Sequence, residues 1–414
     1  MVSQVRPEPI TGGVMRKSQI ASRCALLTVG AIALPLLASC TTPAAVPSSH
    51  GVRPIETQLA VLKGSDTVTS DEFGVSVAVS GTTAVVGTTG TAYAGRAYVF
   101  TKTGSGWQQT AELDGADTVA QDGFGSSVAV SGTTLVVGAG EHAKSAGRAY
   151  LFAKTALGWT QVAELKGFDT VAPDEFGWSV AISGTTAVVG AIGHAKYAGR
   201  VYVFAKSATG WTEVAELKGS DTVSKDGFGT SVAISGTTVI VGAEGHAHGA
   251  GAAYVFAKSA TGWTEVAELK GSDTVAGDDL GTSVAISGTT AVVGAYGHAG
   301  DAGRAYVFTE TASGWKQAAE LKGSDTTAHD YFGISTAISS RTAVVGACDH
   351  DNNAGRAYLF TKTASGWQEK AELKGTNTVA ENLFGISGSV SGTTAVVGAE
   401  GGANFVGRAY VFKA

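Results

Sequence analysis

Phe228-Gly-Thr-Ser-Val-Ala-Ile-Ser235, Thr238-Val-Ile-Val-Gly-Ala243, Ala253-Tyr-Val-Phe256 and Trp263-Thr-Glu-Val-Ala-Glu-Leu269 are four consecutive short runs of β-branched, aromatic and small residues. Between them stand Ser-Gly-Thr-Thr, a longer loop rich in Gly and His, and Lys-Ser-Ala-Thr-Gly. Each run has strand length, and each interruption has turn chemistry. In the first run Phe228, Thr230, Val232 and Ile234 fall on one face of a period-two strand, with Gly229, Ser231, Ala233 and Ser235 on the other. A large face beside a small one lets successive sheets nest. Four antiparallel strands in roughly 50 residues is the size of one propeller blade.

The unit repeats. Phe-Gly recurs at Phe73, Phe124, Phe176, Phe228, Phe332 and Phe384, with Leu280 taking the place of Phe once, so there are seven copies spaced by 51 and then 52 residues. Trp107, Trp159, Trp211, Trp263, Trp315 and Trp367 open the fourth strand, but the chain stops at Val411-Phe412-Lys413-Ala414, before a seventh. Ala60-Val61-Leu62-Lys63-Gly64-Ser65-Asp66 matches Ala215-Glu216-Leu217-Lys218-Gly219-Ser220-Asp221. The missing strand therefore lies at the other end of the chain. These observations predict an all-β, seven-bladed β-propeller of four-stranded antiparallel blades, its ring closed by the N-terminal strand. An open solenoid would need distinctive caps, and closure hides strand edges.

The first 55 residues read differently. Met15-Arg16-Lys17 and Arg23 precede the apolar stretch Cys24 to Leu37, which has the pattern of a secretory signal, so residues 1–39 are expected to be removed, with Met15 as an alternative start. The apolar run is too short to span a bilayer, which takes ~20 residues. Leu37-Ala38-Ser39-Cys40 resembles a bacterial lipobox, which implies lipidation of Cys40, a flexible tether over 40–55, the propeller over 56–414, and an exported chain anchored to the bacterial cell envelope or surface. Without residues 1–39 the chain keeps 25 basic and 34 acidic residues. This acidic body argues against nucleic acid or anionic lipid as partner and leaves the lipid as the only expected membrane contact. Cys348 then has no intramolecular partner, so no disulfide and no cofactor are expected, and the propeller is expected to be a monomer.

Phe176-Gly-Trp-Ser-Val-Ala-Ile-Ser-Gly followed by Val188-Val-Gly-Ala191 resembles the FG-GAP repeat of integrin α propellers and their bacterial relatives. The resemblance covers about 56–414. It implies the propeller fold and a surface binding role. Members of that family often carry an Asp-rich calcium loop between the first two strands; here that turn is Ser-Gly-Thr-Thr, as at Ser183 to Thr186, so calcium is not carried over.

Function is sought on the face bearing the long loops, namely the interblade loop and the loop between second and third strands. His142, His194, His246, His298 and His350 share one place in that second loop. They read as turn-capping groups, or as a ligand-binding rim gaining charge near pH 6 to 7. Adjacent blades hold their loops too far apart for one shared ion at ~2 Å ligand distances. Paired interblade acids, from Asp66 and Asp71 to Asp325 and Asp330, become Asn377 and Asn382 in the last copy, which fits turn hydrogen bonding better than metal binding. Arg96, Arg148, Arg200, Arg304, Arg356 and Arg408 open the third strand, with Ala252 as the exception, and pairing with those acids is expected.

Departures from the repeat are few: Trp178, Tyr331, Phe405 and the loop Cys348-Asp349-His350-Asp351-Asn352-Asn353. Trp178 and Tyr331 join the histidines as expected ligand contacts. No metal is expected; the alternative set is Cys348, Asp349, His350 and Asp351. The leading expectation is a non-enzymatic cell-surface binding, adhesion or scaffold module for an extracellular protein or polysaccharide. A carbohydrate-active enzyme or lyase on the same face, or a structural envelope lipoprotein, are the alternatives.

Overall fold

Each Ser-Gly-Thr-Thr or equivalent turn folds the first run of a repeat back onto the second, and the third and fourth follow as antiparallel neighbours. In the computed structural model, which describes residues 54–90 and 94–414, this yields seven four-stranded antiparallel sheets. Strands are numbered along the chain and blades by their Phe-Gly copy. Blade 3 is typical, with β10 (Phe176–Ser183), β11 (Thr186–Ala191), β12 (Arg200–Ser207) and β13 (Gly210–Leu217) side by side in that order.

Blade 7 is assembled from both ends of the described chain. Its order is β1 (Gln58–Leu62), β28 (Arg408–Lys413), β27 (Thr394–Ala399), β26 (Ser387–Ser391). Ala60 pairs with Val411, Val61 with Tyr410 and Leu62 with Ala409, so the N-terminal strand closes the ring as the sequence match predicts. Just before β1 the backbone of Pro54 and Glu56 bonds to that of Glu372 in blade 6. Residues 1–53, which hold the expected signal, the expected lipidation site Cys40 and most of the expected tether, lie outside the described residues.

One expectation needs correction. The first strand begins at the Phe in blades 3 and 6, but the period-two alternation is not unbroken: in β10 the register shifts between Phe176 and Ser179, and the first strand of blade 4 is only Val232–Ser235. The glycine is the cause. Gly177 has φ +97°, and a Cβ there would run into the carbonyl oxygen of Arg148 in the preceding blade. At Phe-Gly the chain therefore touches two blades: Phe228 bridges Gly199 of the neighbour, while Gly229 N still donates to Gly242 O of its own second strand at 2.9 Å.

The core lies between blades. Phe228 is fully buried with Val188, Val201 and Val203 of blade 3 and with Tyr254 and Phe256 of its own blade, the ring centroids 5.6 and 6.0 Å apart. The tryptophans opening the fourth strands are partly buried on the outer edge of these clusters. Polar links reinforce the stacking. Ser127 Oγ donates to the Gly177 carbonyl at 2.8 Å, and the last of seven equivalent bonds joins Ser387 Oγ to Gly74 at 2.7 Å. On the hairpin face Gly132 N donates to Ser80 Oγ at 3.2 Å, again with a counterpart at every junction, ending with Gly81 N to Ser391 Oγ at 3.1 Å.

Candidate functional site

The long loops meet as expected. In blade 2 the loop between second and third strands makes a left-handed turn, His142–Ser145, with Ala143, Lys144 and Ser145 at φ 53°, 62° and 66°. Three such residues in succession cost roughly 1–2 kcal/mol each. Backbone bonds from Ser145 N to Glu141 O (2.9 Å) and Gly147 N to His142 O (2.9 Å) help to offset this. The next interblade loop adds Glu175 N to Ser145 O at 2.7 Å.

His142 stands at the start of this turn. Its Nδ1 lies 2.8 Å from Asp122 Oδ2 and its Nε2 3.6 Å from Asp117 Oδ2, so the imidazole sits between the two interblade acids. Asp122 Oδ2 also accepts from Val119 N at 2.7 Å, and Asp117 Oδ1 from the Tyr150 hydroxyl at 2.8 Å. Burial, then the bond to Asp117, pushes that phenol up, so it remains a donor. His194, His246, His298 and His350 repeat the arrangement, each side chain only 12–17% exposed. At His350 burial opposes the charged form. The bond to Asp330 and the charges of Asp330 and Asp325 outweigh it and the nearby Arg356, so this imidazole titrates above its ordinary value.

Blade 7 lacks the imidazole and both charges. Gly402 holds the histidine place, Asn377 Oδ1 accepts from Tyr410 at 2.9 Å and Asn382 Oδ1 from Val379 N at 3.1 Å. Blade 1 keeps Asp66 and Asp71 beside a cavity of about 290 Å³ also lined by Arg96 and Tyr98.

The arginines do not pair with these acids. Arg200 Nε donates to Glu216 Oε1 at 2.6 Å, Arg148 and Arg304 bond to Glu164 and Glu320 likewise, and Arg96 reaches Glu112 through Nη1. The register explains it: Tyr202 pairs with Glu216 across β12 and β13, so the carboxylate stands beside the arginine that opens the strand.

The repeat-breaking residues gather around the axis. Tyr331, Phe405 and Cys348, separated in sequence, share a cluster with Tyr296, Ile334, Leu383 and Ile386 of blades 5 to 7. Ile334 and Ile386 also line an axial cavity of about 180 Å³. Trp178 lies outside this cluster, in blade 3, as does Phe168, which is 91% exposed in the interblade loop. Beside Tyr296 stands Asp279: burial pushes its carboxyl up to about 6, while the bond from the Tyr296 hydroxyl works in the opposite direction.

The four groups of the alternative metal set do not converge. Cys348 is buried in the apolar cluster with its thiol toward Asp349 Oδ1 at 3.2 Å, His350 faces Asp330 at 2.8 Å, and Asp351 approaches Arg356 at 3.4 Å. Among the described residues a different trio, Asp221, His246 and Glu268, brings its ligand atoms within 4.8 Å of one another. Glu268 went unread in the sequence; the signal available for it was the Arg-to-Ala exception at Ala252.

No curated protein sequence matches the chain. Among solved structures, a chain of the crystal structure of a mitotic checkpoint complex aligns over 94% of this chain and 99% of its own with 14% identity and a TM-score of 0.57, which shows the fold alone. Saccharomyces cerevisiae Sqt1 aligns over 87% and 100% with 11% identity and a TM-score of 0.46. The FG-GAP repeat profile matches seven times, at 57–100, 107–152, 159–204, 211–256, 263–308, 315–360 and 367–412. Each match begins near or in the fourth strand of one blade and ends in the third strand of the next, the same offset that lets β1 complete blade 7. With seven repeats matched along the propeller, the chain belongs to the FG-GAP repeat family.

Proposed function

We propose that this chain is a non-enzymatic binding or scaffold module, held to the cell envelope through lipidated Cys40, that grips an extracellular protein or polysaccharide with its long-loop face. The observation behind this is where the repeat is broken. The hairpin face keeps its serine bonds at all seven junctions, whereas Tyr296, Tyr331, Leu383 and Phe405 cluster on the long-loop side around one half of the axis. Phe168 and Trp178 add aromatic surface in blade 3. Aromatic groups set in a polar rim supply contact area at low entropic cost, and repetition of the remaining loops suits multivalent attachment. The test is an array of envelope polysaccharides and matrix proteins probed with the whole chain and with a Phe168→Ala/Trp178→Ala variant. Loss of about tenfold or more in binding by the folded variant supports the reading. Equal binding by both sinks it.

A carbohydrate-active enzyme is the second reading, favoured by one feature: a carboxyl titrating at about 6, Asp279, beside the aromatic cluster. Turnover of any polysaccharide on the same array would select it.

A further inference from the structure

We propose that blade 4 holds a divalent transition-metal ion, zinc in character, on Asp221 Oδ2, His246 Nε2 and Glu268 Oε1. The other histidine loops provide the internal control, apart from blade 6, where Arg356 Nε stands 3.9 Å from Glu372. In blades 2, 3 and 5 the glutamate of the fourth strand is held by the arginine that opens the third, as Glu216 is by Arg200 at 2.6 Å. In blade 4 that arginine is Ala252. Released, Glu268 turns to His246, with 3.7 Å from Oε1 to Nε2, and Asp221 Oδ2 lies 3.7 Å from the same nitrogen. These separations are too long for hydrogen bonds. They are close to the edge of about 3.3 Å that a tetrahedral ion with ~2.0 Å ligand distances would impose, and with all three ligand atoms within 4.8 Å of one another a small rearrangement of these side chains seats the ion.

The surrounding groups already orient the three ligands. Asp226 Oδ2, 2.9 Å from His246 Nδ1, accepts that proton and leaves the Nε2 lone pair facing the two carboxylates. Tyr254 donates to Asp221 Oδ1 at 2.7 Å, which leaves Oδ2 for the ion. A carboxylate behind a ligating imidazole and a donor behind a ligating carboxylate are the partners that metal sites use to fix tautomer and rotamer. Glu268 Oε1 is itself shielded from solvent and accepts no hydrogen bond of adequate geometry. The ammonium of Lys270 lies 2.8 Å away but outside the bonding directions, on a half-exposed side chain that can swing into water when the ion enters. A thiolate is absent from the set, and one imidazole with two carboxylates suits zinc or cobalt, the fourth position falling to water.

The site stands apart from the partner-binding reading and is tested on the intact chain with metal alone. After chelator treatment, the full-length protein is titrated with Co²⁺, followed by its visible ligand-field bands, and Zn²⁺ affinity is read by competition. One equivalent per chain is expected. Ala252→Arg, which installs the residue found at six of the seven copies, should weaken binding by about tenfold or more, and so should Glu268→Gln. Glu216→Gln in blade 3 should leave it unchanged. A stoichiometry of zero, or of four to five as if each histidine–aspartate pair sufficed, overturns the proposal. Wild-type affinity in a folded Ala252→Arg chain does so too; if that variant fails to fold by circular dichroism, Glu268→Gln decides by the same criterion.

Discussion

In blade 6 the imidazole of His350 stands 2.8 Å from Asp330 and 3.5 Å from Asp325, while in neighbouring blade 7 its place is taken by Gly402 and the acids by Asn382 and Asn377. The backbone is nevertheless the same. Asp351, Asn352 and Asn353 have φ 57°, 56° and 65°; Ala403, Asn404 and Phe405 have 56°, 61° and 61°. Asn382 still accepts from Val379 N, as Asp330 does from Thr327 N at 2.7 Å. The left-handed turn is therefore built by hydrogen-bond shape, which Asn supplies as well as Asp. In blade 7 the imidazole and both carboxylate charges are missing together, whereas blade 1 keeps Asp66 and Asp71 with Gly90 at the histidine place, counted back from Arg96. Blade 4 departs from the other histidine blades by a missing arginine, Ala252, which leaves Glu268 without that partner and is why it is the blade to which we assign a metal.

The parallel between blades is broken most severely at the closure. Leu62 of β1 is 2% exposed and occupies the place that Leu217 holds in blade 3. Leu62→Ala should cost about 2–5 kcal/mol in denaturant unfolding, matching Leu217→Ala, because a strand from the far end of the chain packs as tightly as one that follows directly. A cost below about 1 kcal/mol would show that blade 7 stands without its fourth strand.

Next in size is the charge set itself. His350→Ala leaves two carboxylates facing each other, one of them buried, and should destabilise by about 1–3 kcal/mol. Because the folded pKa lies above that of the unfolded chain, the charged imidazole's contribution is complete below the ordinary imidazole value and is lost as pH rises through the folded one. The cost of His350→Ala should therefore be largest near pH 5 and fade in alkaline buffer. The triple change His350→Gly, Asp325→Asn and Asp330→Asn copies blade 7 and should return stability to within about 1 kcal/mol of the unaltered chain. A triple variant no better than His350→Ala would refute the reading that in blade 6 the imidazole balances its two carboxylates.

The smallest effect is expected at Asp279, a carboxylate with no imidazole of its own. Its folded pKa of about 6 exceeds the unfolded value, so the native state holds the extra proton between them and stability falls as pH rises from about 4 to 6. Asp279→Asn keeps an acceptor for Tyr296 and should gain about 1 kcal/mol at pH 7 and little at pH 4. Thermal melts across that range check it.

Much of this architecture was legible in the chain because each blade is a local object. Strand, turn and strand alternate within about 50 residues, so period and count can be read without knowing any contact between blades. The site was less legible. Arg200 reaches Glu216 rather than an interblade acid because the register of β12 and β13 places them together, a pairing that was not read from spacing alone. The Phe-Gly step was read as the start of a strand, which holds for β10, but the register shift after Phe176 and the bridge to Gly147 of the preceding blade were not legible. Tyr331, Cys348 and Phe405 were visible as exceptions, but their meeting depends on the curvature of the ring.

The sequence by itself determined seven four-stranded blades and the closing strand, because strand periodicity and turn chemistry act over neighbouring residues and the repeat multiplies a weak signal seven times. Only the tertiary structure decided which charges meet. An imidazole and a carboxylate twenty residues apart on different loops, or a glutamate freed by an alanine sixteen residues before it, become one site through the packing of loops and strands. Electrostatic and coordinate bonds depend on distances of a few ångströms, which no linear spacing specifies.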